Sequence, residues 1–198
     1  MSASTIPDHE LSHAPVSSSA TPATLIWAPL LVALLALAGS LWLSIGMKLK
    51  ACPFCFYQRT FVMGVVAVLG VGLLTGQRHR AVLNLLALPL VIGAVAVAIF
   101  HVYVERTGTL ECPAGVMGIG TAPQQSLAVL IVLLVLVAVG VIQSRKVGGT
   151  HPAATGAAVV LGLLLACGAV ASSPPMPPAP SQAYKTDLDI CRPPFHTQ

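Results

Sequence analysis

Ala51-Cys52-Pro53-Phe54-Cys55-Phe56-Tyr57-Gln58-Arg59 sets a C-x-x-C pair directly before an apolar run extending from about Phe56 to Leu74. Two sulfurs at this spacing close a small, reducible disulfide, unlike the resistant bonds that staple secreted folds. A helix beginning near Cys52 brings Cys55 and Arg59, four residues apart, onto one face. Its positive N-terminal end also points at the sulfurs, and both effects favour the thiolate. The stretch reads as a redox site at the edge of a membrane span.

That apolar run is one of five. Upstream, about Leu25 to Ile45 reaches the roughly 20 residues a spanning helix needs, with Trp27 and Trp42 near its two ends. Residues 1–24 are polar and rich in Ser, Thr, Pro and His, and are expected to form a disordered tail. A cleavable signal peptide is not expected, because a basic n-region is missing and the apolar run that follows is too long. Downstream, Gln77-Arg78-His79-Arg80 closes the second run. The third, about Ala81 to Tyr103, contains Asn84 and Pro89, which neighbouring helices tolerate.

A hydrophilic stretch from Glu105 to Gln125 carries Cys112, and its mildly apolar centre, Gly115 to Gly120, suits an interfacial position. The fourth run is about Leu127 to Ile142. The fifth, about Ala153 to Ala171, is rich in Gly and Ala, which favours close helix packing. The tail opens with Pro174, Pro175, Pro177, Pro178 and Pro180, a stiff polyproline-like spacer, and reaches Asp187-Leu188-Asp189-Ile190-Cys191-Arg192.

The composition agrees. Of 198 residues, 56% are hydrophobic and 8% charged, and mean hydropathy is +0.86. This is an integral membrane composition with the lipid bilayer as its partner. The ten Lys and Arg are scattered, with no basic run or aromatic platform, so the sequence pI near 9.0 does not point to nucleic acid.

Parity places the cysteines without reference to absolute orientation. Cys52 and Cys55 follow the first span, Cys112 the third and Cys191 the fifth, so all four share one face. Cys167 falls inside the fifth span and reads as a small buried hydrophobe. Positive charge does not decide which face this is. Arg78, Arg80, Arg145 and Lys146 lie on one side; Lys48, Lys50, Arg59, Arg106, Lys185 and Arg192 lie on the other. Reactive disulfides persist on the oxidising side, which assigns the cysteine face there. Four cysteines suffice by count for zinc, but no second C-x-x-C supports it, and no metal is expected. Haem attachment fails because Phe56 stands where a His is required.

These residues resemble the bacterial disulfide bond formation protein B (DsbB) family. Cys52-Pro53-Phe54-Cys55-Phe56-Tyr57-Gln58-Arg59 is similar to that family's C-x-L-C-x-x-Q-R at the start of its second span. Phe100-His101-Val102-Tyr103-Val104-Glu105 is similar to its His-Val-x-Val-Glu stretch ending span three. The likeness covers about residues 25 to 143. It implies an all-α four-helix transmembrane bundle, here with a fifth transmembrane helix. The expected divisions are a tail over 1–24, the four-helix membrane domain over 25–143, a loop and extra helix over 144–173, and a Pro-rich outer tail over 174–198. The family normally carries its second cysteine pair in one loop between spans three and four. Here that loop holds only Cys112, and Phe54 replaces the commonest residue between the first two cysteines.

The resemblance further implies a membrane thiol–disulfide oxidoreductase of the bacterial inner membrane, multi-pass, with its redox cysteines on the periplasmic side. It would reoxidise a periplasmic thioredoxin-fold disulfide oxidase (DsbA-like) and pass the electrons to a membrane quinone, ubiquinone or menaquinone. Cys112 and Cys191 would form the shuttle pair, Cys52 would exchange with it, and Cys55 would face the quinone. Arg59 would hold the quinone and stabilise its reduced anion, with Gln58 and His101 as further quinone contacts; His101 is also a candidate proton relay. Glu105 with Arg106 reads as a solvated pair. Rival readings are a vitamin K epoxide reductase-like enzyme, whose C-x-x-C stands late in the bundle, an outward thiol-reducing conduit, and a non-catalytic metal-binding membrane protein.

Overall fold

A computed structural model describes residues 24–74, 80–146, 150–175, 178, 180, 183–185 and 187–195. The tail expected over 1–24 lies outside the described residues except for Thr24. Among the described residues five long helices follow one another: α1 (Thr24–Ile45), α2 (Pro53–Leu74), α3 (Arg80–Arg106), α4 (Ala122–Lys146) and α5 (Pro152–Ala171). All five are long and apolar enough to cross a membrane. Twenty-two residues, the length of α1 and of α2, rise about 33 Å as a helix, matching a hydrocarbon core of about 30 Å. In that medium the backbone must satisfy its own hydrogen bonds, so a run of Leu, Val and Ala becomes helix whatever its intrinsic propensity.

Large apolar side chains such as Leu35, Leu74 and Leu164 point outward, the arrangement expected of surfaces solvated by lipid.

Helix α3 is the axis of the bundle: 61% of its most apolar window is buried, against 28% or less for each of the others. Contacts run α1 to α2, α2 to α3, α3 to α4 and α4 back to α1, closing a four-helix ring. The fifth helix packs on the outside of α3. Its buried residues, Ala158, Gly162, Ala166 and Ala169, recur at helical spacing and give a small-residue stripe that permits close approach. At Gly162 the approach is tight, since a Cβ there would stand 2.7 Å from the Pro89 carbonyl oxygen and 2.8 Å from Ile92 Cβ. Cys167 lies off this stripe and is exposed, correcting its reading as a buried hydrophobe. Hydropathy located its span, but the rotation of that span about its axis is set by the small-residue face.

Two connections shape the cysteine face. Between α3 and α4 a short 3-10 turn, Val116–Gly118, is stapled from below by Gln125. The Gln125 Oε1 accepts from the Val116 amide (2.8 Å), and its Nε2 donates to the carbonyls of Val116 (2.9 Å) and Ile119 (2.7 Å). After α5 the chain turns back over the same end. Ser172 Oγ meets Tyr57 Oη at 3.2 Å, so the end of α5 is tied to the first turn of α2. The tail then docks at two places. Asp189 accepts the Lys50 amide on its carbonyl (2.7 Å) and pairs with Lys50 Nζ through its carboxylate (2.8 Å). Arg192 and Glu111 exchange backbone hydrogen bonds of 2.8 and 3.0 Å as an isolated antiparallel bridge. The Arg192 guanidinium also lies 3.8 Å from the centre of the Tyr184 ring, a cation–π contact.

Candidate redox site

Helix α2 begins at Pro53, where proline's missing N–H costs nothing. Cys52 is therefore the residue that caps the helix. The Cys55 amide faces its sulfur at 3.4 Å, and the two sulfurs stand 3.2 Å apart, not bonded to each other. Cys52 holds the negative charge of the pair. The Cys55 thiol hydrogen bond is the largest influence depressing its pKa well below the usual thiol range, and His101 adds to it against the opposing effect of burial. The spacing Cys-Pro-Phe-Cys thus gives one charged, cap-held sulfur and one sulfur a turn deeper.

The two sulfurs face different surroundings. Cys55 lines a cavity of about 240 Å³ bordered by α1, α2, α4 and the loop before α4. Its wall is mostly apolar, including Leu35, Leu43, Val62 and Val129, with Ser40, Gln58, Arg59, Gln125 and Ser126 as its polar members. Arg59 is anchored to α1: its Nε donates to Ser40 Oγ (3.0 Å), and its Nη2 donates to the Ser40 carbonyl (2.9 Å) and Ser44 Oγ (2.6 Å). Ser40 and Ser44 are one turn apart on the helix face turned toward α2. A polar i, i+4 pair inside an apolar span was the available signal for them, and reading from the cysteines alone passed over it.

Cys52 faces the opposite way, toward the second cysteine pair. Cys112 and Cys191, 79 residues apart, are joined by a disulfide with Cα atoms 4.2 Å apart. His101 stands at the junction, fully buried. Its Nε2 lies 3.6 Å from Cys52 Sγ, 3.6 Å from Cys112 Sγ and 3.5 Å from Cys191 Sγ. Its Nδ1 faces Gln58 Nε2 at 3.5 Å, and Gln58 Oε1 accepts from Ser126 Oγ at 2.6 Å. A serine hydroxyl both donates and accepts, so this chain of contacts holds the ring through Nδ1 in either tautomer. Nε2 is the ring nitrogen turned toward the sulfurs, where it can take up or give a proton. Phe54, the unusual residue between the first cysteines, packs its ring 5.3 Å from the imidazole and 5.5 Å from Phe100, holding the imidazole in place.

Every site residue taken from the sequence lies at this end of the bundle, but not all in one place. Cys55, Gln58 and Arg59 reach the cavity wall, whereas His101 lies behind Gln58 among the sulfurs. Glu105 is half-buried, and its Oε2 is sequestered without a hydrogen-bond partner among the described residues, so it is not half of a solvated pair with Arg106. Two donor sets, Cys52–Cys55–His101 and His101–Cys112–Cys191, each have ligand atoms within 4.8 Å of one another, a soft-donor chemistry that suits zinc when the sulfurs are reduced.

Residues 22–127 match the family model for disulfide bond formation protein DsbB. Over 75 residues the chain is 31% identical to disulfide bond formation protein B 2 of Burkholderia lata, covering 38% of this chain and 44% of that protein. Over 96 residues it is 31% identical to disulfide bond formation protein C of Bacillus subtilis, covering 46% of this chain and 67% of that one. The chain thus spans less than half of the first relative and about two thirds of the second. No solved structure matches it. The matched segment contains Cys52, Cys55, His101 and Cys112 and ends before α5 and Cys191, and on this footing the chain belongs to the DsbB family of disulfide bond formation proteins.

Proposed function

We propose that this protein is a membrane thiol–disulfide oxidoreductase that oxidises the dithiol of a thioredoxin-fold, DsbA-like partner and delivers the electrons to a membrane quinone. The observation that carries this reading is the division of labour at the C-x-x-C. Cys52 shares one imidazole nitrogen with the Cys112–Cys191 disulfide, while Cys55 opens on an apolar cavity. Electrons would pass from the partner dithiol to Cys112–Cys191, then to Cys52–Cys55, and leave at the cavity.

The cavity's residues fit a quinone. An apolar wall suits the ring and the start of an isoprenoid tail, and Gln58 and Arg59 supply a donor amide and a positive charge beside Cys55. When bound, a quinone supplies a two-electron, two-proton sink that a disulfide relay in a membrane otherwise lacks. Arg59 and Gln58 would orient its carbonyls and favour negative charge there. The bacterial inner membrane, with the cysteine face on the periplasmic side, is the setting in which such a relay has both an oxidising compartment and a quinone pool.

The test is disulfide mapping by mass spectrometry on the purified, fully reduced protein before and after addition of a quinone. Closure of Cys52–Cys55 and of Cys112–Cys191 is expected. If quinone closes neither pair, the oxidase reading falls. Stoichiometric zinc in the reduced protein would then favour a metal-binding role through the two donor sets.

A further inference from the structure

We propose that His101 is the catalytic acid–base group for disulfide exchange between the two cysteine pairs, a role distinct from contact with the electron acceptor. The proposal rests on the relay described above and assigns the chemistry of its central step. Nε2 is within 3.6 Å of Cys52, Cys112 and Cys191, so one nitrogen touches a sulfur of the donating pair and a sulfur of the receiving pair. The residue is not on the cavity wall, and Gln58 separates it from whatever occupies that space.

The step begins with Cys112 and Cys191 as thiols and Cys52–Cys55 as a disulfide. His101 takes the proton of one shuttle thiol on Nε2. The resulting thiolate attacks Cys52 Sγ, which forms a mixed disulfide and releases Cys55 as a thiolate. The second shuttle thiol then gives up its proton, which makes good the Cys55 thiolate, and its sulfur attacks the first shuttle sulfur, closing Cys112–Cys191 and expelling Cys52. The proton held on Nε2 is available to Cys52 as it leaves. One disulfide is broken and one is formed, two electrons pass from the shuttle pair to the C-x-x-C, and the two thiol protons lost are matched by two gained.

The arrangement observed has the character of the end of this step: Cys112–Cys191 is closed, Cys52 and Cys55 are not bonded to each other, and Nε2 of the imidazole faces Cys52. Gln58 and Ser126 hold the ring in this place through Nδ1. They act as positioning residues for it.

With Cys52, Cys112 and His101 buried, an imidazole shared by both pairs lets a proton pass between them without leaving an uncompensated charge. Arg59, by contrast, is committed to α1 through Ser40 and Ser44.

The experiment is a single turnover of fully reduced full-length protein in lipid nanodiscs. A short-chain ubiquinone is added, the reaction is quenched in acid, and free thiols are tagged for mass spectrometry. In wild type, Cys52–Cys55 closes first and Cys112–Cys191 follows. In His101→Gln, Cys112–Cys191 should appear about 100-fold more slowly, a far larger slowing than that of Cys52–Cys55 closure. Equal rates of the second step in variant and wild type overturn the proposal. So does slowing of both steps by one factor, which would make His101 a quinone contact.

If wild type itself closes neither pair, it is the oxidase reading that has failed, a result separable from these. A wild-type comparison covers the case of a misfolded variant: Cys112–Cys191 closure should be slower in D2O, because a proton is in flight. An unchanged or faster rate in D2O, as pre-formed thiolate attack gives, overturns the proposal.

Discussion

Replacing Ser40 and Ser44 together by Ala tests whether α1 holds the cavity's positive charge in place. The double change removes two of the three hydrogen bonds that Arg59 makes with α1, those of 3.0 and 2.6 Å, and leaves the one to the Ser40 carbonyl. A hydrogen bond to a charged group contributes roughly 1.5–3 kcal/mol when buried. Arg59 is only half-buried and its long side chain can snorkel to the headgroups, which recovers much of that loss for the fold. Global stability should therefore fall by only about 1 kcal/mol. The positioned charge beside Cys55 is not recovered, and a loss of about 1.4 kcal/mol there is a tenfold weaker hold on an electron acceptor.

The assay is dithiol-driven quinone reduction, followed by absorbance over a range of quinone concentrations. Half-saturation should rise about tenfold, with the partner-to-shuttle exchange unchanged. The decisive comparison is with Arg59→Met. If that variant raises half-saturation and the double serine variant does not, Arg59 works without its anchors and the reasoning is refuted.

Three further outcomes are expected. Cys112→Ser should leave Cys191 as a free thiol while quinone still closes Cys52–Cys55; mass mapping that shows Cys191 joined to another cysteine in most molecules would contradict the pairing. The depressed pKa of Cys52 means its thiolate, and the stability that charge gives the reduced form, is fully present above the ordinary thiol pKa of about 8.5 and is lost only as pH falls through the lower folded value. Iodoacetamide should therefore label Cys52 at a nearly constant rate from alkaline to mildly acidic pH, whereas a tenfold drop per pH unit below 8 would refute the assignment of charge to Cys52. Gly162→Leu should cost about 1–3 kcal/mol by overpacking, read by thermal unfolding in detergent, because the Pro89 carbonyl and Ile92 of α3 already stand against that position.

The membrane bundle was legible because its causes are local. A hydrocarbon core sets a minimum length for an apolar run and forbids unsatisfied backbone, so run length alone located α1 to α5 to within a few residues. Helix ends were less visible. Both α3 and α4 continue past the apolar residues, to Arg106 and Lys146, because backbone hydrogen bonding carries on where side-chain hydropathy stops. Spacing placed Cys52, Cys55, Gln58 and Arg59 on the first turns of α2. It did not separate the sulfur that faces the cavity from the one that faces His101.

From the sequence alone came the spans, the common face of Cys52, Cys55, Cys112 and Cys191, and a reducible C-x-x-C at a helix start; each follows from periodicity, run length and parity, which need no knowledge of neighbours. The tertiary structure decided the rest. Cys191 reaches Cys112 only because a stripe of small residues seats α5 on α3 and the tail is held by Lys50–Asp189 and Glu111–Arg192. His101 stands among the sulfurs only because α3 is central and rotated so that this residue points inward. Those are contacts between segments far apart in the chain, and the rotation of one helix against another is fixed by packing that no single stretch contains.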